Sequence, residues 1–333
     1  MARRARVVAC VTALLLVLAG VAGCDSSGRL SAFANPVVAG LWTIQRMAQA
    51  RSVDTRVSHD IGEDSGTAAP DLDPVPVQPQ KATQHDTTAV TGKIFFDTPE
   101  GLSVCSGTVV EDPARPGRSG LVWTAGRCVH GQAGGDWFRN IVFVPSYNNF
   151  GLEGTARPNG GADQIAPLER GGPPGRRSPR SGSLTGTPAA VAAPRAPMPR
   201  CMCTEQEEPA SLQEVIGQVA PVWFGAPSAT RISAMAVWGY PAASPFDGER
   251  MFSCRDRAGR LTNRFGRPVL YRIGCTVTGT FSGGWFARSS VGGLALVSNT
   301  SVGPTGNILL AGPRLGESAE ELYRCVSDKA GSS

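Results

Sequence analysis

Trp123-Thr124-Ala125-Gly126-Arg127-Cys128 and, far downstream, Thr278-Gly279-Thr280-Phe281-Ser282-Gly283-Gly284 are the two stretches on which the fold of this chain turns. The first is an apolar run that closes on a glycine and a cysteine. The second sets a serine in a glycine-rich turn shortly after Cys275. A serine so placed works as a nucleophile only with a base within hydrogen-bond reach and a carboxylate to orient that base. Arg127 cannot be the base, because a guanidinium stays protonated and has no acceptor lone pair.

Outward from these stretches the chain reads as short strands broken by turn signals. Residues 92–96, 103–110 and 121–124 fit three consecutive antiparallel strands, with a turn from 113 to 120, and 141–147 adds a fourth. Further strands are predicted at 233–238, 269–273, 285–287, 293–298 and 308–310, and a helix at 318–326. Many short strands followed by one helix predict an all-β domain built of barrels.

The two motifs resemble Thr-Ala-Gly-His-Cys and Gly-x-Ser-Gly-Gly, the catalytic signatures of chymotrypsin-fold serine proteases. Gly239-Tyr240-Pro241, Pro245-Phe246-Asp247-Gly248 and Gly134-Gly135-Asp136-Trp137 are similar to landmarks of a family of secreted actinobacterial trypsin-like peptidases. The resemblance covers residues 88–152 and 210–326. It implies a chymotrypsin-like double six-stranded antiparallel β-barrel with a C-terminal helix and a site in the cleft. It also implies endopeptidase activity on polypeptides with no cofactor and no metal. Ser282 falls at the nucleophile position and Arg127 at the base position, and the oxyanion hole would use the N–H groups of Thr280 and Ser282. Anchoring on Trp285-Phe286 instead would slide the nucleophile place onto Phe281. Thr276 stands where trypsins carry the acid that selects basic side chains. The first disulfide would be Cys105–Cys128; Cys254 and Cys275, flanking the approach to the serine, are expected to pair. Cys201, Cys203 and Cys325 are left over.

The rest of the triad is not legible. His59 and His85 fall in the region preceding the strands, and His130, three residues past Arg127, is expected to face elsewhere as a turn histidine. Asp136 is too close to Arg127 in sequence, and Asp163 lies in a stretch with no strand pattern. That stretch, 151–205, is rich in Gly, Pro, Ala, Arg and Ser and has no aromatic residue. Such a composition buries too little apolar area to offset its ordering entropy. It reads either as a disordered insertion or as a segment translated out of frame, in which another frame would supply an Asp-x-Ala strand start.

Arg3, Arg4 and Arg6 followed by an apolar run and Val21-Ala22-Gly23-Cys24 predict a lipoprotein signal at 1–24, with Cys24 the lipidated residue. Residues 25–86 read as a stalk and linker. Leu30, Phe33, Val37, Leu41, Ile44 and Met47 recur at helical spacing there, either as a membrane-proximal amphipathic helix or as a piece packed on the domain. The peptidase domain is expected at 87–326 and a short tail at 327–333. Nine cysteines in an exported chain point to disulfides. The net charge of +5 is modest, and its bias to arginine does not indicate nucleic-acid binding. The expectation is a monomeric, exported, lipid-anchored serine endopeptidase homologue, impaired by Arg127 and the missing Asp. The alternative is a non-catalytic envelope protein that captures peptides in the same cleft.

Overall fold

The computed structural model describes residues 40–53, 74–80, 90–131, 135–147, 166–167, 169–171, 188–192, 210–261, 270–277, 282–290, 292–301 and 309–331. Cys24, His59, His85, Asp163, Cys201, Cys203 and Thr280, and hence the calls made on them, lie outside these residues.

In chain order the first half comprises α1 (Ile44–Ala48), β1 (Arg51–Ser52), β2 (Val75–Pro76), β3 (Gln78–Pro79), β4 (Thr91–Thr98), β5 (Gly101–Val109), β6 (Leu121–Ala125) and β7 (Arg139–Pro145). Three short strands follow, β8 (Ala166–Pro167), β9 (Glu169–Gly171) and β10 (Pro188–Ala192), and then α2 (Leu212–Ile216). The second half is β11 (Met235–Gly239), β12 (Phe252–Asp256), β13 (Gly259–Leu261), β14 (Leu270–Ile273), β15 (Cys275–Thr276), β16 (Gly284–Arg288), β17 (Leu294–Asn299) and β18 (Leu310–Pro313), closed by α3 (Glu317–Gly331). The protein is all-β, with a C-terminal helix, in the chymotrypsin-like arrangement.

The first sheet runs β8-β7-β4-β5-β6-β10-β9, with β1 added alongside β5. Its strands lack the alternation of a half-exposed sheet; β6 is buried throughout. Neighbouring side chains point to opposite faces, so both faces must be covered. Phe95 lies against Trp42 and Tyr147, while Phe96 stacks on Phe138 at 5.0 Å. Helix α3 covers another part of this core. Tyr323 meets Trp123 and Phe224, and its hydroxyl donates to the Glu111 carbonyl at 2.6 Å. The second half forms the sheets β17-β16-β11-β12-β3 and β13-β14-β18 around a separate core that includes Trp285, Ile273, Tyr271 and Leu310. Disulfides join Cys105 to Cys128 and Cys254 to Cys275.

Three points bear on the sequence expectations. Residues 40–53 take the packed one of the two places left open for the helical series, and residues 74–80, read as linker, form strands. Trp42 and Met47 are buried in the first core, β2 pairs with β15, and β3 pairs with β12. The helical series is only partly used, since Ile44 is exposed and the helix is five residues long. Val75-Pro76-Val77 joins as an edge strand, where a proline without an N–H is tolerated. Second, 151–205 contains β8 to β10, and β10 pairs along the whole of β6. Backbone hydrogen bonds make this pairing, so an apolar pattern is not required. Third, α3 continues past 326. The Ser327 hydroxyl bonds the buried Asp112 carboxylate, pinning residues expected to be tail.

Burial raises the ionisation of all four tyrosines, Tyr147, Tyr240, Tyr271 and Tyr323, above the ordinary phenol value. A folded-state value above the unfolded one gives stability that is intact below about pH 10 and is lost above it. Burial lowers Lys93, partly opposed by the carboxylates of Glu249 and Asp247; this one lysine works against the tyrosines, its depressed value favouring the fold as pH rises. Alkaline titration should therefore show tyrosinate absorbance rising together with loss of far-UV circular dichroism. Reversible ionisation near pH 10 with the fold intact would contradict this.

Candidate active site

Strand β6 delivers Ala125 in extended conformation, after which the chain tightens into a 3-10 turn over Gly126–Cys128. Cys128 turns inward and is bonded to Cys105 on β5. The turn and the disulfide together fix where Arg127 projects. Its Nη2 donates to Ser282 Oγ at 3.2 Å, and its Nη1 donates to the carbonyls of Thr300 at 3.2 Å and Ser301 at 2.8 Å. Its Nε donates to the carbonyl of Val53 at 3.3 Å. The structure thus brings together the two residues singled out at the nucleophile and base positions.

Ser282 is only 4% exposed. Cys128 Sγ lies 3.3 Å from its hydroxyl. That sulfur is in a disulfide and carries no proton, so it can only accept, and weakly. Arg127 therefore occupies a lone pair of the serine oxygen with a donor, the reverse of what activation requires. Its positive charge would favour an alkoxide, yet it cannot take the proton whose removal would form one.

The glycines after the serine are held by packing. A Cβ on Gly283 would lie 1.5 Å from the Trp238 carbonyl oxygen, and one on Gly284 would meet Leu296 and the Thr108 hydroxyl at 2.6 Å. The Gly283 carbonyl accepts from Thr300 N–H at 3.1 Å. The Asn299–Ser301 wall is bonded from both sides: Trp123 Nε1 donates to Asn299 Oδ1 at 3.2 Å, and Trp285 Nε1 to Thr300 Oγ1 at 2.8 Å. Of the two residues assigned to the oxyanion hole, Ser282 is among the described residues and Thr280 is not.

His130 faces away from this cluster, meeting Trp137 edge-on at 4.9 Å while its Nδ1 is 2.7 Å from the Gly131 carbonyl. Asp136 is exposed in the same loop. Asp97 bonds Arg46 and Asn140, Asp112 bonds Arg115 and Ser327, and Asp256 accepts from Gly274 N–H. Among the described residues no group of three or more His, Cys, Asp or Glu is arranged to hold a metal.

Sequence reading missed two features. The carbonyls of Val53, Thr300 and Ser301 contribute through backbone, which leaves no sequence signal. The second is the buried Lys93, 3.1 Å from Glu249 Oε1 and 4.0 Å from the centre of the Tyr147 ring. Tyr147 donates to the other oxygen of Glu249 at 2.7 Å, and Tyr240 O–H to the Tyr147 carbonyl at 2.8 Å. This cluster ties β4 to the loop after β11. A lysine inside a strand of an arginine-dominated chain was the available clue.

Gly283→Ala should be costly because a new methyl would press on backbone rather than on a side chain that can swing away. A loss at or above the usual overpacking cost of about 1–3 kcal/mol is expected. Thermal unfolding would measure it, and an unchanged Tm would refute the close contact.

No family model and no curated protein matches the chain. Solved structures do. A thermostable serine protease, AL20, from an extremophilic microorganism is 28% identical, with 72% of this chain and 98% of that one covered and a TM-score of 0.55. The protease Anisep from Arthrobacter nicotinovorans is 27% identical over 77% of this chain and 100% of its own, with a TM-score of 0.54. A Glu endopeptidase, 13% identical over 79% of this chain and 98% of its own, shares the fold at a TM-score of 0.51. The chain thus has the chymotrypsin-type fold of bacterial trypsin-like serine proteases, with Arg127 hydrogen-bonded to Ser282.

Proposed function

We propose that this chain is an exported trypsin-like serine endopeptidase homologue of the actinobacterial secreted kind, impaired in its catalytic step and held at the outer face of the membrane by a lipid on Cys24. The observation that carries the reading is the Arg127 Nη2 to Ser282 Oγ bond of 3.2 Å. A donor that cannot deprotonate stands where general-base catalysis needs an acceptor. Two disulfides accord with folding in an oxidising compartment. No described helix is long and apolar enough to cross a membrane; the attachment in this reading is the lipid on Cys24. Its two acyl chains suffice for stable anchoring.

The second reading, a non-catalytic protein that captures polypeptides, is favoured by one observation. The edge of β5 at Ser103–Val104 already accepts an extended backbone, that of β1. On either reading the partner is a polypeptide, no cofactor or nucleic acid is involved, and the protein acts as a monomer.

Protein lacking its first 24 residues should hydrolyse casein and peptide esters at no more than a residual rate. A site without its triad members retains roughly 10³–10⁴-fold over water from binding and oxyanion stabilisation. Turnover abolished by Ser282→Ala would contradict this. Arg127→His alone should not restore proteolysis, because the new imidazole would lack an orienting carboxylate; robust activity would show that a carboxylate is in place. As to location, a fatty-acid probe should label the wild type, and Cys24→Ser should release the protein to the medium. Unlabelled, freely secreted wild type would rule out the anchor.

A further inference from the structure

Strand β5 is paired with β4 from Gly101 to Thr108, but on its other side it meets β6 only at Thr108 and Val109. The edge at Ser103–Val104 is thereby left for another strand. It lies immediately before Cys105, whose disulfide partner has its sulfur 3.3 Å from Ser282 Oγ. Open strand edges of this kind take up extended polypeptide by backbone hydrogen bonding. Here the occupant is the chain itself. Arg51 and Ser52 lie parallel to Ser103 and Val104, and Val53 N–H donates to the Val104 carbonyl at 3.3 Å.

A two-residue parallel pairing is too short to order itself, since each residue fixed loses backbone entropy that so few bonds scarcely offset. The segment is fastened at both ends instead. Upstream, Trp42 is buried, with its Nε1 donating to the Asn140 carbonyl at 2.7 Å, and Arg46 pairs with Asp97 at 2.7 Å. Downstream, the Val53 carbonyl accepts from Arg127 Nε, while the other end of that guanidinium reaches Ser282. One side chain therefore ties the strand to the nucleophile.

We propose that Arg51–Val53 is an internal ligand of the β5 edge and that Arg127 is its latch, so that an extended polypeptide must displace this strand to lie beside Ser282. The proposal rests on the polypeptide-binding cleft of the preceding reading. It assigns Arg127 a positioning role in addition to its place opposite the serine. Because the occupant is tethered, it competes at high effective concentration.

The test uses the full chain in detergent, with amide-resolved hydrogen exchange and equilibrium binding of unfolded, carboxymethylated casein. In the wild type the Val53 amide should exchange well below the free-chain rate. A hydrogen bond to a charged group is worth about tenfold or more in occupancy, so Arg127→Ala should speed Val53 exchange by about that factor. Exchange at Ile94, Phe143 and Val297 should not change. Val53→Pro removes the N–H given to Val104 and leaves Arg127 intact. Both variants should bind casein about tenfold more tightly than the wild type, by the same release of the edge. Free-chain exchange at Val53 in the wild type would overturn the proposal, as would casein binding unchanged by Val53→Pro. Casein cleavage is scored separately: cleavage would sink the impaired-catalysis reading without touching the latch, and unchanged binding would sink the latch alone.

Discussion

The structure around Ser282 depends on a charge that cannot be removed. Arg127 stands where Ser282, the Thr300–Ser301 backbone and Val53 converge, and its bonds reach all of them. A charge in such a place is tolerated only when its donors are met. Planar guanidinium donors spread over several directions and so suit backbone carbonyls that diverge around them. An imidazole has two ring nitrogens and could meet only part of this set. The arginine is thus a structural component with partners of its own, and the surrounding backbone is arranged to receive it.

What the sequence made legible follows from side chains that carry a pattern. The strands 92–96, 121–124, 285–287 and 293–298 are recognisable because branched and aromatic residues mark them; the first three lie inside observed strands, and the fourth overlaps β17 from Leu294 on. The Ser-Gly-Gly turn was visible for a similar reason: its glycines answer to close backbone packing against Trp238, Leu296 and Thr108. The elements that were missed are those whose placement rests on backbone. Pro188–Ala192 pairs with β6 using residues that advertise no strand, and Val75-Pro76-Val77 looks like linker until its edge position is seen. The reading of 151–205 as a disordered insertion rested on composition, which is blind to hydrogen-bond pairing.

The site was legible to the same depth. Ser282 and Arg127 could be named because they interrupt or complete a motif. What holds Arg127 could not, since carbonyl oxygens are common to every residue. Val53 in particular lay in a region read as a stalk, so nothing in its identity connected it to a serine more than two hundred residues away.

Persistence of a catalytic signature is weak support for catalysis when each of its residues has a packing reason to stay. Gly283 cannot accept a side chain whether or not Ser282 reacts, and Cys128 closes its disulfide regardless of what precedes it. Such a disulfide contributes about 2–4 kcal/mol. Trp123 and Trp285 bond the Asn299–Ser301 wall from the two halves whether the residue at position 127 is a base or a cation. Position 127, by contrast, carries a side chain that could serve as a base only if it were something other than arginine. The surroundings of Ser282 are thus held by packing and hydrogen bonds that do not depend on catalysis, and Arg127 is one of the groups that holds them.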